Sequence, residues 1–231
     1  MNLPNALTVG RIVASPFVAI LPFFPSWPLR MLGFWLFIAV AITDYYDGKI
    51  ARTRNLVTNL GKLLDPLADK LLLTATLIPM YLIQRQMDAA ALANTGGSGA
   101  GATIRDFRFD TPVGRYGFPF WVIAVVLGRE LFMTIFRQLA ARRGVIIAAI
   151  GPAKWKTGFQ WTWVGAAYFW FAALTAAHGY GWLNEPAWRA WAWVNGSIGV
   201  VTMYAAIALT LYSLALYMKL YAFKSGPPRA E

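Results

Sequence analysis

The sequence predicts an all-α integral membrane protein of six transmembrane helices. Three observations carry that prediction: 58% of its 231 residues are hydrophobic, only 13% are charged, and the apolar residues gather into six long runs. A helix needs about 20 mostly apolar residues to cross about 30 Å of hydrocarbon. The runs lie at roughly 7–24, 29–48, 63–84, 118–140, 156–178 and 192–221.

In chain order, the first run opens behind Pro4, with Asn5 expected as its N-cap. No basic segment precedes it and no small-residue cleavage site follows, so it is expected to stay as an anchor. The second run ends on Asp44 and Asp47, and the third begins around Asp65 and Pro66, where the proline fits a helix just starting or a slight kink. Residues 85–117 separate the third and fourth runs. Their Gly- and Ser-rich stretch from Asn94 to Ala102 has little to bury and predicts a long, mobile outer loop. The fourth run carries Arg129, Glu130 and Arg137; Lys154 and Lys156 stand just before the fifth, whose far end holds His178 at an expected interface. After the sixth run a short polar tail, 224–231, closes a single membrane domain spanning 1–223.

Six crossings place both ends on one side. The side shared by the termini carries thirteen of the basic residues near the span ends, among them Arg11, Lys49, Arg52, Lys62, Arg137, Lys154 and Lys156. The opposite side carries six: Arg30, Arg85, Arg105, Arg108, Arg115 and Arg189. The positive-inside rule therefore predicts cytoplasmic termini. Trp27, Trp121, Trp155, Trp182, Trp188, Trp191 and Trp193, at or near span ends, read as interfacial belts.

The absence of cysteine excludes disulfides and thiolate zinc sites, and a single histidine is too little for a His-rich centre, so any metal here takes oxygen ligands. A net charge of +11 in a lipid-soluble chain points to cytoplasmic loops and anionic headgroups, not to nucleic acid.

Four carboxylates fall in one window. Asp44 and Asp47 are spaced i, i+3 at the end of the second run, and Asp65 and Asp69 are spaced i, i+4 at the start of the third, so each pair projects from one helix face. Acids at membrane depth are each disfavoured by about 2.5–3.5 kcal/mol, and clustered like charges repel. Salt bridges to Lys49, Arg52, Lys62 and Lys70 are one remedy; two divalent cations are another. Hard oxygen ligands suit Mg²⁺ or Mn²⁺, and a pair of such ions is a recurrent solution for phosphoryl chemistry. Gly48 and Gly61 favour the second reading, because glycine lets backbone approach a ligand closely.

The full pattern, D-x-x-D-G-x-x-A-R, eight residues, then G-x-x-x-D-x-x-x-D, runs from Asp44 to Asp69 and resembles the CDP-alcohol phosphatidyltransferase signature at all eight fixed positions. The resemblance implies that family's fold. It implies Asp44, Asp47 and Asp65 as metal ligands, Asp69 as base and further ligand, and Gly48, Arg52 and Thr58 as contacts to a CDP-diacylglycerol donor. Asn5 and Thr8 are further candidates for the donor site, with helix capping as the competing role. The base would take a proton from an acceptor hydroxyl as it attacks the lipid-linked phosphorus, with no covalent enzyme intermediate.

Arg137, Lys154 and Lys156 would gather near the acids, and three cations suit an acceptor carrying phosphate. The segments Asn2 to Arg11, Gly128 to Leu131 and Gly151 to Thr157 are similar to the bacterial phosphatidylglycerophosphate synthase branch of the family. That similarity implies glycerol 3-phosphate as acceptor, those three cations on its phosphate, a homodimer, and a bacterial cytoplasmic membrane. Glu130, seven residues from Arg137 and on roughly the same helix face, is expected to orient the acceptor surroundings. Two other readings stand beside this one: a sibling enzyme with another acceptor, such as a cardiolipin or inositol-phosphate synthase, and a cation transporter using the four acids as its ion site.

Overall fold

A computed structural model describes residues 3–53, 58–93, 108–142 and 151–222. Each apolar run becomes a long helix: α1 Leu3–Ile20, α2 Trp27–Thr53, α3 Asn59–Ala93, α4 Phe120–Arg142, α5 Gly151–Tyr180 and α6 Pro186–Tyr217. Among the described residues, four stretches are apolar and long enough to cross a membrane, at Asn5–Phe23, Trp27–Asp44, Leu64–Gln86 and Pro186–Tyr221. Helices α4 and α5 reach 23 and 30 residues, but α4 carries Arg129, Glu130 and Arg137, and α5 opens on Lys154 and Lys156. The chain is an all-α membrane protein whose only strands, among the described residues, form one small hairpin.

The core sits along α5, which packs against α2 on one side and α6 on the other. Trp163, Val164, Ala167, Trp170 and Phe171 of α5 are essentially fully buried. Phe37 of α2 stacks on Tyr168 at 5.7 Å, and Trp170 stacks on both Trp188 and Trp191 at 5.8 Å. The last two tryptophans thus serve an internal aromatic stack and not a belt, because offset ring pairs add to plain burial. Trp27, Trp121, Trp155, Trp182 and Trp193 remain exposed, as interfacial residues would be. Helix α1 packs against α2 and α3, which fixes its inner face toward the two aspartate-bearing helix ends.

Two helix starts differ from the sequence expectation. Helix α1 already includes Leu3, so Asn5 lies inside it and does not cap it. Helix α3 begins at Asn59, seven residues ahead of Pro66, because Thr58 supplies an N-cap: its hydroxyl accepts the Gly61 N–H at 3.0 Å. With that cap in place the proline is absorbed inside a 35-residue helix, about 52 Å long at 1.5 Å per residue. Such a rod outreaches the hydrocarbon and continues to Ala93, well into the segment expected to be loop.

The described far end of that outer segment also carries regular structure. Strands β1 Phe109–Thr111 and β2 Gly114–Tyr116 pair antiparallel, and Phe109 is fully buried. The hairpin rests directly on α6 at two glycines. A Cβ at Gly196 would lie 1.9 Å from the Asp110 carbonyl oxygen, and one at Gly199 would lie 2.3 Å from the Phe109 ring. Past the hairpin, the Gln84 side chain of α3 accepts the Phe118 N–H at 3.0 Å. The Gly/Ser run from Asn94 to Ala102 lies outside the described residues, as does the tail 224–231. Gly196→Ala is therefore expected to lift the hairpin from α6, read as tryptic cleavage at Arg108 or Arg115 about tenfold faster than in the parent chain. An unchanged cleavage rate would show that the hairpin does not depend on this contact.

Candidate functional site

The acidic site forms where α2 ends, α3 begins and α1 runs alongside both. Asp44 stands on α2, and Asp65 and Asp69 stand on successive turns of α3. All three converge on the guanidinium of Arg11 from α1. Arg11 Nη1 donates to Asp44 and, at 2.9 Å, to Asp69, while its Nη2 lies 3.6 Å from Asp65. Arg11 is only 2% exposed, against 57% for the Asp69 side chain, so the cation forms the floor of the site and the carboxylates its open side.

Residues one turn along α1 complete the floor. The Thr8 hydroxyl donates to Asp65 at 2.7 Å, fixing that carboxylate against the helix. Thr58 donates to the Asn5 side-chain oxygen at 3.0 Å while its own oxygen caps α3, so one hydroxyl both starts α3 and ties it to α1. Gly61 is buried in the same place. A Cβ there would lie 2.9 Å from the Asn5 side-chain oxygen and 3.2 Å from the Thr58 hydroxyl, so glycine serves this contact between α1 and the start of α3. The side chains of Asp47, Arg52 and Lys154, and the surroundings of Gly48, lie outside the described residues; their backbones belong to α2 and α5.

A cavity of about 100 Å³ joins this acidic floor to a basic wall, with Asp44, Asp69 and Lys70 on one side and Glu130, Lys156, Thr157 and Gln160 on the other. Lys156, 5% exposed, donates to Glu130, which also accepts from Arg129 Nη1 at 3.0 Å. Arg129 is anchored in turn by Nη2 donating to Ser213 of α6 at 3.2 Å. Glu130 thus orients Lys156 and Arg129, where the sequence pointed to Arg137. Arg137, two turns further along α4, donates to the Tyr217 hydroxyl at 3.3 Å and lies 5.7 Å from its ring centroid. It is not one of the cavity's walls.

The donor set can be weighed against a metal. Three carboxylates facing one guanidinium leave a formal excess of two negative charges, and all the donors are hard oxygens, the chemistry of Mg²⁺ and Mn²⁺. Among the described residues no three acids or imidazoles lie close enough together to form a ready-made ligand cluster, since Arg11 occupies the space between them. The residues fit a hard divalent cation in type and charge, and Arg11 is the group such an ion would have to displace or share. Arg11 is the site residue that the sequence did not mark as one; it counted toward membrane orientation and closed the similar segment Asn2 to Arg11.

The fold and the site define an all-α membrane protein with carboxylates and a lysine gathered around a cavity. The sequence profile of the CDP-alcohol phosphatidyltransferase family matches residues 1–212. This chain belongs to the CDP-alcohol phosphatidyltransferase family. It is 58% identical over 88 residues to a CDP-diacylglycerol--glycerol-3-phosphate 3-phosphatidyltransferase of Rickettsia bellii, covering 38% of this chain and 48% of that protein. A Bacillus subtilis protein of the same name is 36% identical over 171 residues, covering 69% of this chain and 72% of its own. A cardiolipin synthase (CMP-forming) of Oryza sativa is 29% identical over 228 residues, covering 95% of this chain and 57% of its own. The chain thus spans about half the length of the Rickettsia and rice relatives it matches.

Proposed function

We propose that this chain transfers a phosphatidyl group from CDP-diacylglycerol to sn-glycerol 3-phosphate, giving phosphatidylglycerophosphate and CMP. The observation that carries the reading is the shared cavity: Asp44 and Asp69 on one wall, and the buried, Glu130-oriented Lys156 on the other. One wall suits a metal-bound diphosphate and the other an acceptor phosphate. Two of the relatives above carry the name of this reaction.

In this reading Asp44, Asp47, Asp65 and Asp69 hold two Mg²⁺ or Mn²⁺ ions, whose chemistry is to neutralise the diphosphate and the departing CMP. Asp69 accepts the proton of the acceptor hydroxyl. That oxygen bonds to the lipid-linked phosphorus, and the bond from phosphorus to CMP oxygen breaks. Gly48 and Arg52, with Asn5, Thr8 and Thr58, form the donor side; the last three also tie α1 to α3. Lys156, with Lys154 and Arg137, attracts the acceptor phosphate. Glu130 stands between two cations, so one positive charge is left for the ligand. The enzyme acts as a homodimer in a bacterial cytoplasmic membrane, with the site and both termini facing the cytoplasm, where CDP-linked lipid and a soluble acceptor meet.

Purified protein given CDP-diacylglycerol, Mn²⁺ and a panel of alcohols tests this directly, with CMP release as the readout. Glycerol 3-phosphate is expected to support turnover. Release of CMP with phosphatidylglycerol instead would favour a cardiolipin synthase, the reading to which the rice relative lends weight. Cation uptake into proteoliposomes without CMP release from any alcohol would favour a transporter.

Lys156→Ala is expected to raise the KM for glycerol 3-phosphate by roughly ten- to a hundredfold, the loss of one charged hydrogen bond, while donor KM changes little. Lys156→Arg is expected to restore part of the affinity. An unchanged acceptor KM in the alanine variant would reassign the lysine.

A further inference from the structure

Another cavity lies at the opposite end of the bundle, where α5 ends, α6 begins and the β1–β2 hairpin lies against α6. Its volume is about 440 Å³. The walls combine Asp110 and Arg115 of the hairpin with Trp188, Arg189, Ala192 and Trp193 of α6. Arg115 is paired with Asp110 at 2.8 Å. Arg189 uses its backbone N–H on the Glu185 carbonyl, and its guanidinium has no hydrogen-bond or ion-pair partner among the described residues. Among the described residues the cavity therefore carries two cations against one carboxylate, with one cation uncommitted.

Its construction argues for more than a gap between helices. The hairpin forms one wall, and it reaches its position only because Gly196 and Gly199 let the Asp110 carbonyl and the Phe109 ring lie on the α6 backbone. From the rim, the exposed apolar side chains Trp193, Val194, Ile198 and Val201 continue along α6 into a stretch apolar enough to span a membrane. A largely apolar pocket that carries two arginines and opens onto such a stripe matches a molecule with an anionic head and an apolar tail. Arginine presents a planar fork of donors to phosphate oxygens, and tryptophan favours the depth where headgroup meets acyl chain.

We infer that the hairpin pocket binds a membrane phospholipid, its phosphodiester on Arg189 and an acyl chain along the exposed face of α6. The site is separate from the aspartate cavity and takes a lipid of the other leaflet. Its ligand is a bound structural or regulatory lipid and not a substrate.

The test is a binding titration of the delipidated protein in detergent, followed by native mass spectrometry, with three probes: dihexanoyl phosphatidylglycerol, dihexanoylglycerol and inorganic phosphate. CMP at saturating concentration, with Mn²⁺, occupies the aspartate site throughout. The phospholipid is expected to bind. Arg189→Glu is expected to weaken it at least about tenfold, Arg189→Lys by less, and the CMP-forming rate of both variants is expected to match that of the parent, which also reports that they fold. Undiminished phospholipid binding by Arg189→Glu overturns the assignment. Equal binding of inorganic phosphate overturns it in favour of a soluble-anion site, and equal binding of dihexanoylglycerol overturns the role of the phosphate.

Discussion

Asp69→Asn is expected to lower the rate of CMP release by roughly a hundred- to ten-thousandfold, the range by which a positioned base accelerates proton transfer. The amide keeps the shape of the side chain and can still accept from Arg11 through its oxygen, so the floor of the site survives. What it loses is the capacity to take up a proton, together with one negative charge facing the cavity. Donor binding is expected to persist at reduced strength, because Asp44 and Asp65 remain in place on their own helices. The measurement is a pair: single-turnover CMP release, and equilibrium binding of CDP-diacylglycerol. Full turnover in the variant would remove Asp69 from the role of base. Loss of binding and turnover in equal measure would make it a ligand-holding residue only.

Arg11→Ala carries the second large effect, and it falls on stability before it falls on rate. The guanidinium is almost wholly buried and touches carboxylates from two other helices, so its removal takes from three acids the cation they share. Breaking a fully buried pair costs about 3–5 kcal/mol. Because Asp65 and Asp69 are more than half exposed, solvent screening brings the figure down to roughly 1–3 kcal/mol here. A lower thermal midpoint in metal-free detergent solution is the expected result, with Mn²⁺ recovering most of the loss because a divalent ion can stand where the guanidinium stood. If Mn²⁺ leaves the midpoint of the variant unchanged, the carboxylates do not form a cation site.

Much of this architecture was legible in the residues. The six apolar runs mark six helices because a bilayer accepts little else, and each run lies largely inside its helix, although α3 extends to Ala93. The aspartates could be paired off by helix because i, i+3 and i, i+4 spacings put side chains on one face. Three things were not legible, each for a physical reason. The pairing of Arg11 with the acids joins residues 33 to 58 positions apart, and no local spacing encodes it. A signal was nonetheless present: a charge within an apolar run is costly unless it has a partner, and the acid-rich helix ends were the obvious place to look for one. The capping role of Thr58 depends on where α3 starts, and Pro66 pointed to a start later than the observed Asn59. The hairpin was hidden by its neighbour in sequence, since glycine- and serine-rich composition speaks for the loop that contains it and not for Phe109, whose burial depends on two glycines in a helix about ninety residues further on.

The resident guanidinium also bears on how such a protein is assembled. During synthesis α1 emerges from the ribosome ahead of α2 and α3, so its arginine is already in the bilayer when the first aspartate arrives. The acidic helix ends then insert beside a cation already in place, which offsets one of their charges before ions are recruited from the cell.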